Sequence, residues 1–155
     1  MLAGPVCAQA TITAPGLKGA AACAGPGESN DPLSGSISSV STDGAAIEID
    51  AYTNLYSSLR GKAGDGAPSQ FPIYYRARDA RTNSVAFTSP RLVRITSGVA
   101  NLGRYANRSI SGLTSNTPYV FEVYTSAGGL EDSPLLKRCF MTGGTYTPAN
   151  ESGQP

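Results

Sequence analysis

Histidine is absent from this 155-residue chain, and so is tryptophan. Without imidazole there is no Ser-His or Cys-His nucleophile pair, no side chain titrating unperturbed near neutrality, and no His-containing metal site. Charge is scarce as well. Asp, Glu, Lys and Arg make up 15% of residues, against about 25% in ordinary soluble domains. The formal net charge of +1 excludes the bulk electrostatics that draw a chain onto nucleic acid. No apolar run approaches the ~18 residues that would span a bilayer. The three cysteines, Cys7, Cys23 and Cys139, contain no CxxC spacing, which removes the usual metal and redox motifs. Glu48 and Asp50 share one face of a short alternating run and read as solvent-facing acids rather than a catalytic pair. Gly61 to Gly66 lacks the Lys-Ser/Thr ending of a phosphate loop. Asp65, Asp79, Glu131 and Asp132 show no calcium-ligand spacing. The sequence therefore predicts no catalytic, cofactor-binding or metal-binding residue, and a role other than catalysis.

What the chain has instead is uncharged polarity: 18 Ser and 13 Thr, a balance that suits the cell exterior. Residues 1–10 resemble the remnant of a signal peptide, with Ala8-Gln9-Ala10 as a small-x-small cleavage site, although the basic region and long apolar core of a full leader are missing. Cleavage after Ala10 would remove Cys7 and leave an even pair, so a Cys23–Cys139 disulfide is expected; three free thiols are the alternative. Residues 11–33 are dominated by Ala, Gly and Pro and read as an extended arm, and 143–155 as a polar tail. The 34–142 span between them is a comfortable size for one domain.

Within that span, two-residue apolar alternation recurs in short runs between turn residues, and no segment longer than ten residues keeps a helical period. Seven strands are expected: Gly35–Val40, Ala46–Ala51, Phe71–Asp79, Arg91–Ile95, Arg104–Ile110, Tyr119–Thr125 and Leu135–Met141. Ile47, Ile49, Ile73, Tyr75, Ala77, Tyr119, Phe121 and Val123 fall on inward faces. Seven short strands would leave an apolar face wet in one open sheet, so the fold class is all-β, a two-sheet sandwich with extended N- and C-terminal arms. Thr53 to Phe71, rich in glycine, reads as a long loop.

The run from Ser109 to Val123 resembles the E strand, E–F turn and F strand of a fibronectin type III domain. Leu113, Tyr119 six residues later, and apolar residues at every second position thereafter match that family's tyrosine corner. The resemblance extends through Ala127-Gly128-Gly129 to a G strand ending at Thr142, and back to a C strand at Tyr74–Asp79. It implies a seven-stranded immunoglobulin-like sandwich in which the Tyr119 ring packs on Leu113 and its hydroxyl bonds a backbone group at the sheet edge. Two features depart from the family: there is no Trp for strand B, and the B–C segment is long.

Charge is unevenly placed. Residues 28–65 carry a net of −4, and residues 76–108 carry seven arginines against Asp79 alone. Arg76, Arg78, Arg91, Arg94 and Arg104 are the candidate interaction face, suited to other copies of the chain, an extracellular protein or an anionic glycan. Asn107 and Asn150 begin glycosylation triplets. The expected role is a secreted or cell-surface structural subunit, homo-oligomeric, whose arms reach onto neighbours. The alternative is a monomeric recognition module contacting a ligand through loops Thr53–Phe71, Ala80–Ser84 and Ala127–Asp132.

Overall fold

The computed structural model describes residues 33–143. The leader, the arm apart from Leu33, and the tail apart from Gly143 lie outside the described residues, as do Cys7, Cys23 and Asn150. Eight strands and one helix follow in the order β1 (Gly35–Val40), β2 (Ala45–Ile49), α1 (Leu55–Ala63), β3 (Phe71–Asp79), β4 (Val85–Thr88), β5 (Val93–Ile95), β6 (Tyr105–Ile110), β7 (Pro118–Thr125) and β8 (Leu136–Met141). They form two antiparallel sheets. One has the order β1-β2-β6, the other β4-β3-β7-β8 with β5 also paired to β3.

The alternating residues meet in a single core shared by both sheets. Ile37, Ile47, Ile49 and Ile110 come from the smaller sheet, and Phe71, Ile73, Tyr75, Ala77, Phe121, Val123, Leu136 and Phe140 from the larger. Their burial supplies the main driving force, roughly 1.5 to 3 kcal/mol for each large apolar side chain. Across the core the Tyr75 hydroxyl donates to the Ser109 carbonyl at 2.7 Å, and burial raises its pKa above the usual phenol value. The hairpin between β1 and β2 closes with Ser41 N–H on the Gly44 carbonyl at 2.9 Å. Gly44 is needed there, because a Cβ would run into the Ile110 carbonyl oxygen.

Two sequence expectations change. The strand count is eight, not seven, because Val85–Thr88 also forms a strand; four mostly exposed residues carry too little alternation to mark it in the sequence. β4 and β5 lie along the same edge of β3, against Arg76–Arg78 and Phe71–Ile73 respectively. Pro90, which lacks an N–H, falls in the gap between them. Ser89 bridges that gap. Its N–H donates to the Tyr75 carbonyl, and its hydroxyl oxygen accepts the Tyr75 N–H, each at 2.9 Å.

The second change is in the Thr53–Phe71 segment, which contains α1 rather than being all loop. Leu55 and Leu59, spaced i and i+4, are fully buried. Nine residues are too few for a periodicity test over longer windows to register. The helix is held at its start by Asn54 N–H on Asn101 Oδ1 at 2.9 Å and Tyr56 N–H on the Ala100 carbonyl at 3.1 Å. It stops at Gly64, in a left-handed φ of 76° that glycine tolerates, with the Gly64 N–H on the Arg60 carbonyl. Tyr56 meets Phe71 edge-on at 6.1 Å.

The first and last strands meet although they belong to different sheets. Leu33 N–H donates to the Leu135 carbonyl, Arg138 Nε to the Gly35 carbonyl, and Gly143 N–H to the Ser41 carbonyl. β1 and β8 therefore run in the same direction, and the described chain enters beside the start of β8 and leaves beside the end of β1. Among the described residues no helix is long and apolar enough to cross a membrane.

Candidate functional site

Alternation along β3 and β7 sends Arg76, Arg78, Val120, Glu122 and Tyr124 to the side of the larger sheet away from the core, with Arg76 opposite Glu122 and Arg78 opposite Val120. On an ordinary solvated face these residues would be wet. Instead every residue of β7 is buried, and a connected ion cluster lies over it. Arg76 Nε and Arg78 Nε both donate to Glu122 Oε1, at 2.6 and 3.1 Å. A terminal nitrogen of Arg76 donates to the Glu131 carbonyl at 2.8 Å, and its guanidinium lies 3.9 Å from the centre of the Tyr124 ring. Arg78 donates to the Asn83 carbonyl and pairs with Asp132 at 3.6 Å. Tyr124 stacks on Tyr74 at 5.6 Å, and burial raises its pKa above the normal phenol range.

Two guanidinium groups on one carboxylate leave surplus positive charge, which the Glu131 carbonyl, the Tyr124 ring and Asp132 share. Such a cluster is high-stakes. Desolvating the charges is costly, so the arrangement is favourable only while the partners are kept together. Beside it is a polar cleft of 380 Å³ lined by Arg76, Arg78, Asn83, Glu122, Asp132, Pro134 and Lys137.

The five arginines read from the sequence fall into three settings rather than one face. Arg76 and Arg78 belong to the buried cluster. Arg104 pairs with Glu48 across the β2–β6 side of the smaller sheet, so part of the acidic stretch neutralises part of the basic one within the fold. Arg91 and Arg94 are exposed at and beside β5. Arg81 is bound to Asp79 by three hydrogen bonds, chiefly lowering the Asp79 pKa through its side chain. Arg108 is exposed on β6, 5.2 Å from the Tyr105 ring centre. Asn107 is exposed beside it with φ 58°.

Leu113 and Tyr119 are both buried, and the Tyr119 hydroxyl accepts the Thr114 N–H at 2.9 Å. Sequence reasoning missed Thr142, whose buried hydroxyl oxygen accepts the Thr117 N–H at 2.9 Å and donates to the Thr114 carbonyl at 2.6 Å, tying the same turn to the end of β8. It also missed Glu122 and Tyr124 as partners of the arginines. The signal was available: antiparallel pairing of the strands at Tyr74–Asp79 and Tyr119–Thr125 puts an acid opposite a base. Among the loops, Ala80–Ser84 and Ala127–Asp132 reach the cluster through Asn83 and Glu131, whereas Thr53–Phe71 packs α1 beside Phe71.

Compared with known proteins, the chain matches no protein-family model and no curated protein.

Proposed function

We propose that the protein is a secreted or cell-surface structural subunit, built on a fibronectin type III-like sandwich, that works by self-association rather than catalysis. The strand order β1-β2-β6 opposite β4-β3-β7-β8 supports the resemblance, with β4 and β5 together filling the place of one interrupted strand. So does the hydroxyl bond of Tyr119 to the turn before its own strand.

The observation that carries the assembly reading is β6. It is an edge strand of the smaller sheet, and its four central residues, Ala106 to Ser109, are all exposed. An edge strand presents unpaired backbone groups and gains a partner by strand addition. Arg108 on this edge adds a positive charge for an acidic partner surface, and acidic loops of another copy supply one. Contacts between different surfaces make rings or open filaments. Light scattering against concentration, at low and physiological salt, tests this. Growth in size that Arg108→Glu reduces is the expected result; a wild type that stays monomeric at high concentration and low salt overturns it.

The polar cleft beside Arg76 and Glu122 favours a second reading, a recognition module taking a small polar or sugar-like ligand. Its saturable binding by a monomeric protein in a glycan screen would replace the assembly reading.

A further inference from the structure

Cys139 faces outward. It stands opposite Val120, which stands opposite Arg78, so all three lie on the side of the larger sheet away from the core. Yet Val120 is 1% exposed and Cys139 0%. The 126–134 loop covers the neighbouring row, where Glu131 and Asp132 meet Arg76 and Arg78. An apolar pair on the outer side of a sheet is stable in water only with a further layer across it.

The stretch of chain ahead of Leu33 is long enough to supply that layer. Leu33 is 4% exposed, and its N–H donates to the Leu135 carbonyl, so the described chain begins beside the start of β8, and a segment ahead of it that reaches Cys139 has to turn back along that strand. Cys139 lies four residues further on, about 13 Å along a strand. Cys23 is ten residues before Leu33, a stretch that spans up to about 33 Å when extended. The excess leaves room for turns at Gly25-Pro26-Gly27 and Pro32. Around Cys23 the sequence is Ala20-Ala21-Ala22-Cys23-Ala24, side chains small enough for a backbone to lie close over a sheet.

We propose that the outer side of β7 and β8, at Val120 and Cys139, is the docking site of this chain's own residues 17–32, locked by a Cys23–Cys139 disulfide within one molecule. Bond formation takes two electrons and two protons from the two thiols and leaves them on a disulfide oxidant of the glutathione class, which is reduced to two thiols. The inference is independent of the assembly reading, since it leaves β6 open.

The full-length chain, oxidised in glutathione buffer, alkylated without reduction and digested, is mapped by mass spectrometry. Half the chains carry a heavy isotope. The expected result is Cys23 joined to Cys139 within chains of one isotope, with Cys7 alkylated. An alkylated Cys139, a Cys7–Cys139 bond, or mixed-isotope pairs showing an arm crossed to a neighbour would overturn it. A second measurement needs no oxidation. In the reduced, folded chain Ala21→Glu, on the same face of an extended segment as Cys23, should raise the alkylation rate of Cys139 about tenfold or more, because it lifts the strap. An unchanged rate shows that the segment does not cover this face.

Discussion

Glu122 is the residue on which the outer layer depends. Its carboxylate is shared by Arg76 and Arg78, and the side chains of Glu122 and Arg76 are 8% and 3% exposed. Glu122→Ala leaves the Arg76 charge buried without its anion, and a broken buried pair costs about 3 to 5 kcal/mol. Denaturant melts at neutral pH should show that loss, while Glu48→Ala, which breaks the exposed pair with Arg104, should lie within about 1 kcal/mol of wild type. Tyr119→Phe is a subtler case. The ring remains, stacked on Phe140 at 5.7 Å, but the Thr114 N–H loses its acceptor. Because Thr114 is exposed, water replaces part of that bond, and the expected cost is about 1 kcal/mol. Paired equilibrium melts measure it; a cost within error would make Tyr119 a core aromatic only.

At the scale of elements, α1 stabilises the fold chiefly through Leu55 and Leu59. Leu59→Ala empties a fully buried site and should lower stability by about 2 to 5 kcal/mol in urea unfolding, whereas Ser58→Ala, on the half-buried side of the same turn, should change little. The helix also shows what the sequence could and could not reveal. β3 is legible to the residue, because alternation over nine positions has one reading; the bounds of β1 are legible too, although Ile37 and Val40 stand three apart across a bulge. β4 is not. Its burial is slight and its existence depends on pairing with Arg76–Arg78, which no local pattern records. α1 fails for a related reason: two leucines four apart fix a helix only when Phe71 and the 100–102 segment are there to bury them. For the candidate site, alternation puts Arg76 and Arg78 on the outward side of β3, but an outward position need not be wet. The cover comes from Glu122 on β7 and from a loop some fifty residues on in sequence, and so lies in the register rather than in the run.

For the molecule as a whole, the pairing is long-range. β3 pairs with β7, β2 with β6, and β1 packs beside β8, so most of the chain must be brought together before the contacts compensate for closing the loops. Stopped-flow refolding should accordingly fall in the millisecond-to-second range of all-β sandwiches, about a thousandfold slower than helical bundles of this size. A microsecond phase carrying the whole amplitude would contradict this.

The shared direction of β1 and β8 has a mechanical meaning. A load applied between Leu33 and Gly143 pulls the two strands lengthwise past one another, so the Leu33–Leu135, Arg138–Gly35 and Gly143–Ser41 bonds are strained together in shear instead of being peeled open one at a time. Resistance under tension is therefore concentrated at the seam between the first and last strands, while the β4 and β6 edges lie off the line of force.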